Sequence, residues 1–384
     1  MDVHADTIEK LRTRTSEKWS VYPPDVLPLF VAEMDYPLAQ PIADALHAAI
    51  SRSDTGYGGT VHGDLAPAFT RFAQRRWGWD VQPEWVSSTT DVSVVIVESL
   101  RLAIAPGDGV IITPPIYSPF FDLIPEAGGQ VVEVPLVDDG ASWTLDLDGI
   151  EAALVSGARA VLLCNPHNPL GHVHPADQLA RLAELAAEYD ATVISDEIHA
   201  PLTHPGATFT PFLSVSDAAR QHGIAAHSAS KAWNLAGLKC ALFVTASQRM
   251  HDLLERLPEE VHFRTSLLGR IANTAAFTDG DRWLDGAIAS IHSNSELLAQ
   301  LLHDRLPEVG YRPPAASYLA WLDLRALGWG DDPAARILES GRVALNAGLD
   351  FGPQGAGHVR LNFACSPEML TAAIDRIVGA ASSR

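Results

Sequence analysis

The stretch Ser228-Ala-Ser-Lys-Ala-Trp-Asn-Leu-Ala-Gly-Leu-Lys239 follows an apolar run, Gly223–His227, that predicts a buried strand. Lys231 therefore lies where a strand ends and a turn begins, and most lysines at such positions are simply solvated. Its neighbours favour a functional role, because two serine hydroxyls and the ammonium of Lys239 together could bind a phosphate. A partly desolvated amine close to a second cation has a lowered pKa and reacts with aldehydes. The stretch thus predicts a lysine that forms a Schiff base with a phosphorylated aldehyde.

The composition limits the classes of protein that this chain can belong to. Its 384 residues, 47% of them hydrophobic, predict a large core and two domains. A net charge of −20 without a basic stripe argues against nucleic-acid partners and against anionic membranes. We expect a cytoplasmic protein, because there is no long apolar run and no signal-peptide pattern, and because Cys164, Cys240 and Cys365 lie apart in apolar contexts. No Cys/His spacing suggests a metal site.

Apolar runs alternate with amphipathic helical patterns through the middle of the chain. The predicted strands include 109–113, 130–135, 158–164 and 191–195, with helices at about 147–155 and 175–188 between them. This alternation indicates a largely parallel sheet covered on both faces by helices. In such sheets functional residues collect at the carboxyl ends of the strands. After residue 317 the pattern changes to a small α+β unit.

Four polar residues stand at positions where a structural and a functional interpretation compete. Tyr117 follows a strand among prolines and could be a packed turn residue or could lie on a conjugated ring. Asn168 belongs to paired Asn-Pro turns, and Asp196 at the end of a buried strand could cap a helix, form a salt bridge or pair with a protonated ring nitrogen. Arg360 lies inside an apolar strand and needs an anion, either an internal carboxylate or a bound one.

These residues, taken together and in order, resemble the fold-type I pyridoxal-phosphate enzymes of the class I/II aminotransferase superfamily. The match includes Ser-x-Ser-Lys-x7-Lys at 228–239, Asn-Pro-x-Asn-Pro at 165–169 and Arg-Leu-Asn-Phe at 360–363. The Lys18–Asp35 segment and Asp-Glu-Ile-His at 196–199 are similar to the MalY/PatB-type cystathionine β-lyase branch. The resemblance implies a three-layer αβα large domain at 46–284 with a mostly parallel sheet. It also implies a small α+β domain built from residues 1–45 and 285–384.

The resemblance also implies a role for each matched residue toward pyridoxal 5'-phosphate and an amino-acid substrate. In this interpretation Lys231 binds the cofactor covalently and removes the substrate Cα proton, Asp196 pairs with the ring nitrogen, and Tyr117 stacks on the ring. These three are the expected catalytic residues. Further cofactor contacts are expected from Tyr117, Asn168, His199, Ser228, Ser230, Lys239, Asp91, Val92 and, from the neighbouring subunit of a homodimer, Tyr57. Arg360 and Asn168 would bind the substrate carboxylate. Asp91 stands where relatives usually have glycine, and we expect it to cap the next helix with its side chain turned away from the phosphate.

The shared residues do not distinguish two reactions of this superfamily. We favour carbon–sulfur cleavage of cystathionine or a related cysteine S-conjugate, because the two branch-specific segments resemble the β-lyases. An aminotransferase is the alternative. A third possibility is a regulatory binding protein on the same fold, although the presence of both Lys231 and Asp196 argues against it.

Overall fold

The structure is a computed structural model that describes residues 2–59 and 63–382. Its strands, in chain order, are β1 (Leu27–Pro28), β2 (Val86–Thr89), β3 (Gly109–Ile112), β4 (Gln130–Glu133), β5 (Val137–Asp138), β6 (Trp143–Thr144), β7 (Ala158–Cys164), β8 (Thr192–Asp196), β9 (Gly223–His227), β10 (Ala241–Val244), β11 (Gly310–Tyr311), β12 (Leu319–Asp323), β13 (Val343–Ala344), β14 (Asn346–Ala347) and β15 (His358–Asn362).

The helices cover the central strands and form much of the remaining chain. In chain order they are α1 (Ile8–Leu11), α2 (Glu17–Ser20), α3 (Gln40–Ser51), α4 (Leu65–Trp77), α5 (Val92–Ala103), α6 (Phe120–Glu126), α7 (Leu147–Val155), α8 (Ala176–Glu188), α9 (Asp217–His222), α10 (Gln248–Leu254), α11 (Glu259–Phe263), α12 (Leu267–Asp279), α13 (Asp281–Arg305), α14 (Pro333–Arg336) and α15 (Pro367–Ser382).

The central sheet has seven strands in the order β2-β10-β9-β8-β7-β3-β4. Strands β9, β8, β7, β3 and β4 run parallel, and β10 is antiparallel to both of its neighbours. Strands β8 and β9 are buried along their whole length, as expected for strands with helices on both faces. One cluster of buried apolar side chains lies around α5 on one face, and a larger one includes α4, α8 and α12.

A second sheet has four strands in the order β11-β12-β15-β14, all antiparallel. The N-terminal segment joins this part of the molecule, because β1 pairs in parallel with β13 and the Asp35 amide donates to the Ala364 carbonyl. Its charged residues Lys18 and Asp35 form a fully buried ion pair, with 2.9 Å between Nζ and Oδ2. Residues from both ends of the chain thus pack together.

The predicted architecture, an α/β protein with a mostly parallel sheet and a smaller α+β unit, is confirmed. At the beginning of the Lys18–Asp35 segment, Glu17–Ser20 forms a helical turn. In the small α+β unit, α14 continues as a π-helical turn over Ile337–Gly341. The domain boundaries 46–284 and 1–45 with 285–384 stay a prediction.

Candidate active site

A cavity of about 270 Å³ lies at the carboxyl ends of β7 and β8, next to the beginning of α5. Its size is near the lower end of the range for small-molecule sites, about 300–1,000 Å³. Most of the predicted site residues line it, together with apolar neighbours. Those predicted residues are Asp91, Val92, Tyr117, Asn168, Asp196, His199, Ser230, Lys231, Lys239 and Arg360.

Lys231 enters the cavity from the turn that follows β9. Its Nζ donates to the carbonyl oxygen of Ala32, 3.2 Å away, in the N-terminal segment. Burial, together with the nearby positive charge of Arg360, lowers the pKa of Lys231 to about 8. A larger fraction of this amine is therefore neutral, and hence nucleophilic, near neutral pH than for an ordinary lysine.

Asp196 is the last residue of β8, and its side chain is almost completely buried. Its Oδ1 accepts a hydrogen bond from the Ile198 amide at 3.1 Å. Burial raises the pKa of Asp196 to about 7, partly offset by that hydrogen bond and by the charge of Lys231. A cation placed beside this carboxylate in the cavity would favour its ionised form.

Arg360 lies at the centre of β15 and is 5% exposed. Its Nη1 donates to Asn168 Oδ1 at 3.1 Å, and its Nη2 donates to Phe30 O at 3.0 Å and to Asn346 Oδ1 at 2.6 Å. These partners are neutral oxygens, and burial lowers the pKa of Arg360 to about 10. A guanidinium held in this way retains its full charge for an anionic ligand.

Two features of the Arg360 environment were not predicted from the sequence. Asn346 lies directly opposite Arg360 in the β14–β15 pairing, and the ring of Phe351 lies 5.0 Å from the guanidinium carbon. A lone asparagine in a two-residue strand carries no sequence signal of its own. Only the strand pairing shows that it orients the arginine.

The beginning of α5 forms another part of the cavity wall. Asp91 caps this helix as predicted, since its Oδ1 accepts from the Val94 amide at 3.1 Å. The expectation that its side chain turns away was wrong, because Oδ2 lies 3.3 Å from Lys239 Nζ and Asp91 lines the cavity. The physical reason is that one oxygen suffices for the cap, so the other is free to pair with the nearest cation. Lys239 and Ser230 line the same region.

His199 and Tyr117 lie on the cavity wall near Asp196. The His199 ring is buried and its Nδ1 lies 3.0 Å from Ser317 Oγ. Burial, with the charges of Lys231 and Arg360, lowers the pKa of His199 to about 3, so the imidazole is neutral. Burial also raises the pKa of Tyr117 to about 12, so its phenol stays protonated.

Two predicted residues lie elsewhere. Ser228 is 2% exposed and its hydroxyl donates to the Cys240 carbonyl while accepting from the Ser230 amide, which stabilises the turn that carries Lys231. Tyr57 is 91% exposed and does not line the cavity of its own chain. Ser228 therefore acts on the site through the backbone in this structure, and a role for Tyr57 requires a second subunit.

The residues around the cavity have the chemistry that pyridoxal phosphate requires. An amine with a lowered pKa suits the aldehyde, and a buried carboxylate suits a protonated ring nitrogen. The free amides at the beginning of α5, with the Lys239 ammonium and the Ser230 hydroxyl, suit a phosphate. The site fits the cofactor, with Asp91 as its one unfavourable charge.

Comparisons with known proteins agree with this chemistry. The family model described as "Aminotransferase class I and II" matches residues 24–377. The cystathionine beta-lyase of Corynebacterium glutamicum is 37% identical over 96% of this chain and 98% of its own, and cystathionine beta-lyase PatB of Bacillus subtilis is 33% identical over 93% of both. The crystal structure of cystalysin from Treponema denticola, which contains pyridoxal 5'-phosphate, has a TM-score of 0.90 at 26% identity and covers 96% of both chains. The chain belongs to the class I and II aminotransferase family, in its MalY/PatB-type cystathionine β-lyase branch.

Proposed function

We propose that this protein is a pyridoxal-phosphate-dependent carbon–sulfur β-lyase that acts on cystathionine or related cysteine S-conjugates. The observation that carries the proposal is the cavity that holds Lys231, Asp196 and Arg360 together. The similarity to cystathionine β-lyases over nearly the whole chain supports the choice of reaction.

Each of these three residues has a distinct task in binding and proton transfer. Bound pyridoxal phosphate supplies an electron-withdrawing ring that stabilises negative charge at the substrate Cα. Arg360 binds the substrate carboxylate, with Asn168 and Asn346 holding the guanidinium in place. The Lys231 amine, which is mostly neutral at pH values above its pKa of about 8, accepts the Cα proton. Asp196 maintains positive charge at the ring nitrogen.

The overall reaction requires no second substrate except water. After the Cα proton moves to Lys231, the bond between Cβ and sulfur breaks and the thiolate leaves with the electron pair. The thiolate takes up a proton, and the remaining three-carbon enamine hydrolyses to pyruvate and ammonia. Tyr117, whose phenol is protonated because burial raises its pKa to about 12, lies in the cavity as a candidate proton donor.

The test is incubation of the purified, cofactor-loaded protein with cystathionine and no keto acid. We expect pyruvate and a thiol in equal amounts, and Lys231→Ala should produce neither and should lose the visible absorption band of lysine-bound cofactor. Conversion that occurs only after a keto acid is added would show an aminotransferase instead. A lack of turnover with every amino acid tested would favour a binding protein on this fold.

We further propose a homodimer whose two sites are each completed by Tyr57 of the other subunit. Tyr57 is 91% exposed, so its ring is accessible to a second subunit. Tyr57→Phe should weaken cofactor binding, while the mass of the dimer measured by sedimentation should not change. A fully active monomer would contradict the shared site.

We place the protein in the cytoplasm, a proposal supported by its three free, buried cysteines. Within residues 2–59 and 63–382, none of the helices has the length and apolar character needed to cross a bilayer.

A further inference from the structure

Ser317 adopts a backbone conformation that is rare for a residue with a side chain. Its φ angle is +72°, in the left-handed region, which costs most non-glycine residues roughly 1–2 kcal/mol. Such conformations persist where the surrounding structure holds them, and they are frequent at functional sites. The position directly precedes Tyr318 and strand β12, and it lies beside the cavity rather than in a surface turn.

Hydrogen bonds hold both the amide and the carbonyl group of Ser317. Its amide donates to the Leu202 carbonyl at 3.0 Å, and its carbonyl oxygen lies 2.6 Å from His204 Nε2. Residues Thr203 and Ala316 also form an isolated β-bridge. These contacts join the turn that follows β8 to the segment that enters β12, and they fix the direction of the Ser317 side chain.

That side chain points at one atom of the candidate site. Ser317 Oγ lies 3.0 Å from His199 Nδ1, and both residues are 3% exposed. The charged groups that face His199 are Lys231 and Arg360, which, with burial, keep the imidazole neutral, while Asp196 lines the same cavity. A serine hydroxyl can donate to or accept from an imidazole nitrogen, so this contact holds the ring in one orientation in either neutral tautomer.

We propose that Ser317 is a positioning residue that fixes the ring orientation of His199, so that the remaining nitrogen, Nε2, is held toward the bound cofactor. The left-handed conformation of Ser317 is the means by which its hydroxyl reaches the imidazole. The proposal rests on the proposed cofactor role of the cavity, but it does not depend on which reaction follows cofactor binding.

The adjacent residue connects this arrangement with Lys231. The Tyr318 hydroxyl donates to the Ala32 carbonyl at 2.9 Å, and the same carbonyl accepts from Lys231 Nζ at 3.2 Å. One short segment, 317–318, therefore contacts both His199 and the acceptor of the cofactor-binding lysine. A displacement of this segment would disturb two groups of the site, and the test must separate that effect from the loss of the hydroxyl.

Two variants that remove the hydroxyl make this separation. Ser317→Gly accepts the left-handed backbone without strain, and Ser317→Ala retains the strain. The control is Ser295→Ala, which removes a buried serine hydroxyl that bonds Tyr311 away from the cavity. His199→Asn, alone and combined with Ser317→Gly, reports whether the two residues act together.

The measurements are the pH midpoint of the visible band of lysine-bound cofactor and kcat with an amino-acid substrate. We expect both Ser317 variants to shift the midpoint by at least half a pH unit and to lower kcat by roughly 3- to 10-fold, the equivalent of one hydrogen bond. Ser295→Ala should change neither. Adding Ser317→Gly to His199→Asn should have little further effect.

Unchanged midpoints and kcat in both Ser317 variants would overturn the proposal, as would effects that add fully to those of His199→Asn. A wild-type protein that shows the band but no lyase activity would refute the proposed reaction alone. The Ser317 comparison would remain decisive in that case, because the midpoint is measured without turnover.

Discussion

The lowered pKa of Lys231 predicts how the rate of cofactor capture depends on pH. Its usual pKa of 10.5 falls to about 8 because burial and the charge of Arg360 both disfavour the ammonium form. Only the neutral amine attacks an aldehyde. The capture rate should therefore rise with pH up to about 8 and level off above it.

The size of the effect follows from the neutral fraction. At pH 7.5 an amine of pKa 8 is roughly a quarter neutral, whereas one of pKa 10.5 is only about 0.1% neutral, a difference of about 200-fold. Arg360→Gln removes the second cause of the shift and should move the midpoint toward higher pH. The remaining shift would then report burial, partly offset by the carboxylates of Glu33, Asp196 and Glu17.

The assay is stopped-flow mixing of cofactor-free protein with pyridoxal phosphate between pH 6 and 10, following the visible band. N-acetyl-lysine amide under the same conditions corrects for ionisation of the cofactor itself, and Lys231→Ala shows that the band belongs to this residue. A corrected rate that keeps rising tenfold per pH unit up to pH 10 would show that the amine is not desolvated.

Three further predictions concern charged residues, two in the site and one in the N-terminal segment. Asp91→Asn retains a cap for α5 but removes a carboxylate beside Lys239. Because that carboxylate repels the cofactor phosphate, the variant should bind the cofactor about fivefold more tightly at low salt and with a smaller gain in 0.5 M salt. Equilibrium titration measures both affinities. Lys18→Met leaves Asp35 buried without its partner and should destabilise the fold by roughly 3–5 kcal/mol, which lowers Tm by roughly 4–6 °C in calorimetry. The double variant Lys18→Met with Asp35→Leu should recover most of this loss. Arg360→Lys loses the two-pronged contact and should raise KM for amino acids roughly 10- to 100-fold while the cofactor band is unchanged; an unchanged KM would remove Arg360 from the substrate site.

The sequence predicted the central sheet well because buried strands and amphipathic helices have different hydrophobic periods. Strands β7 and β9 and helix α7 have the predicted bounds. Helix α6 was missed because it contains Pro125 and follows a proline-rich turn. The two-residue strands were missed because their pairing depends on partners that are distant in the chain.

The candidate site could be predicted where one residue type performs the chemistry, as with Lys231 and Asp196. It could not be predicted where the contact depends on backbone geometry or on a distant partner. The hydroxyl of Ser317 reaches His199 only because the serine is left-handed, and a single sequence contains no signal for that conformation. The second oxygen of Asp91 is a similar case, since a capping motif does not reveal which cation lies beside it.

The N-terminal segment shows why a sequence signature and a site contact can be different residues. The Lys18–Asp35 pair and the Trp19 indole, which donates to Asp35, lie at the two ends of the segment and hold it in place. Between them two backbone carbonyls contact residues of the site: Phe30 O accepts from Arg360, and Ala32 O accepts from Lys231 and Tyr318.

A carbonyl is present at every position, so the hydrogen bonds to residues 30 and 32 do not depend on which side chains these residues carry. The placement of these carbonyls depends on the buried Lys18–Asp35 pair that anchors the segment. Burying such a pair costs desolvation energy, and removing one partner is strongly destabilising. The branch-specific charges at residues 18 and 35 therefore act on the amine and the guanidinium through the position of the intervening backbone. On this argument, weakening the anchor should impair amino-acid binding at Arg360 as well as stability, although neither anchoring residue lines the cavity.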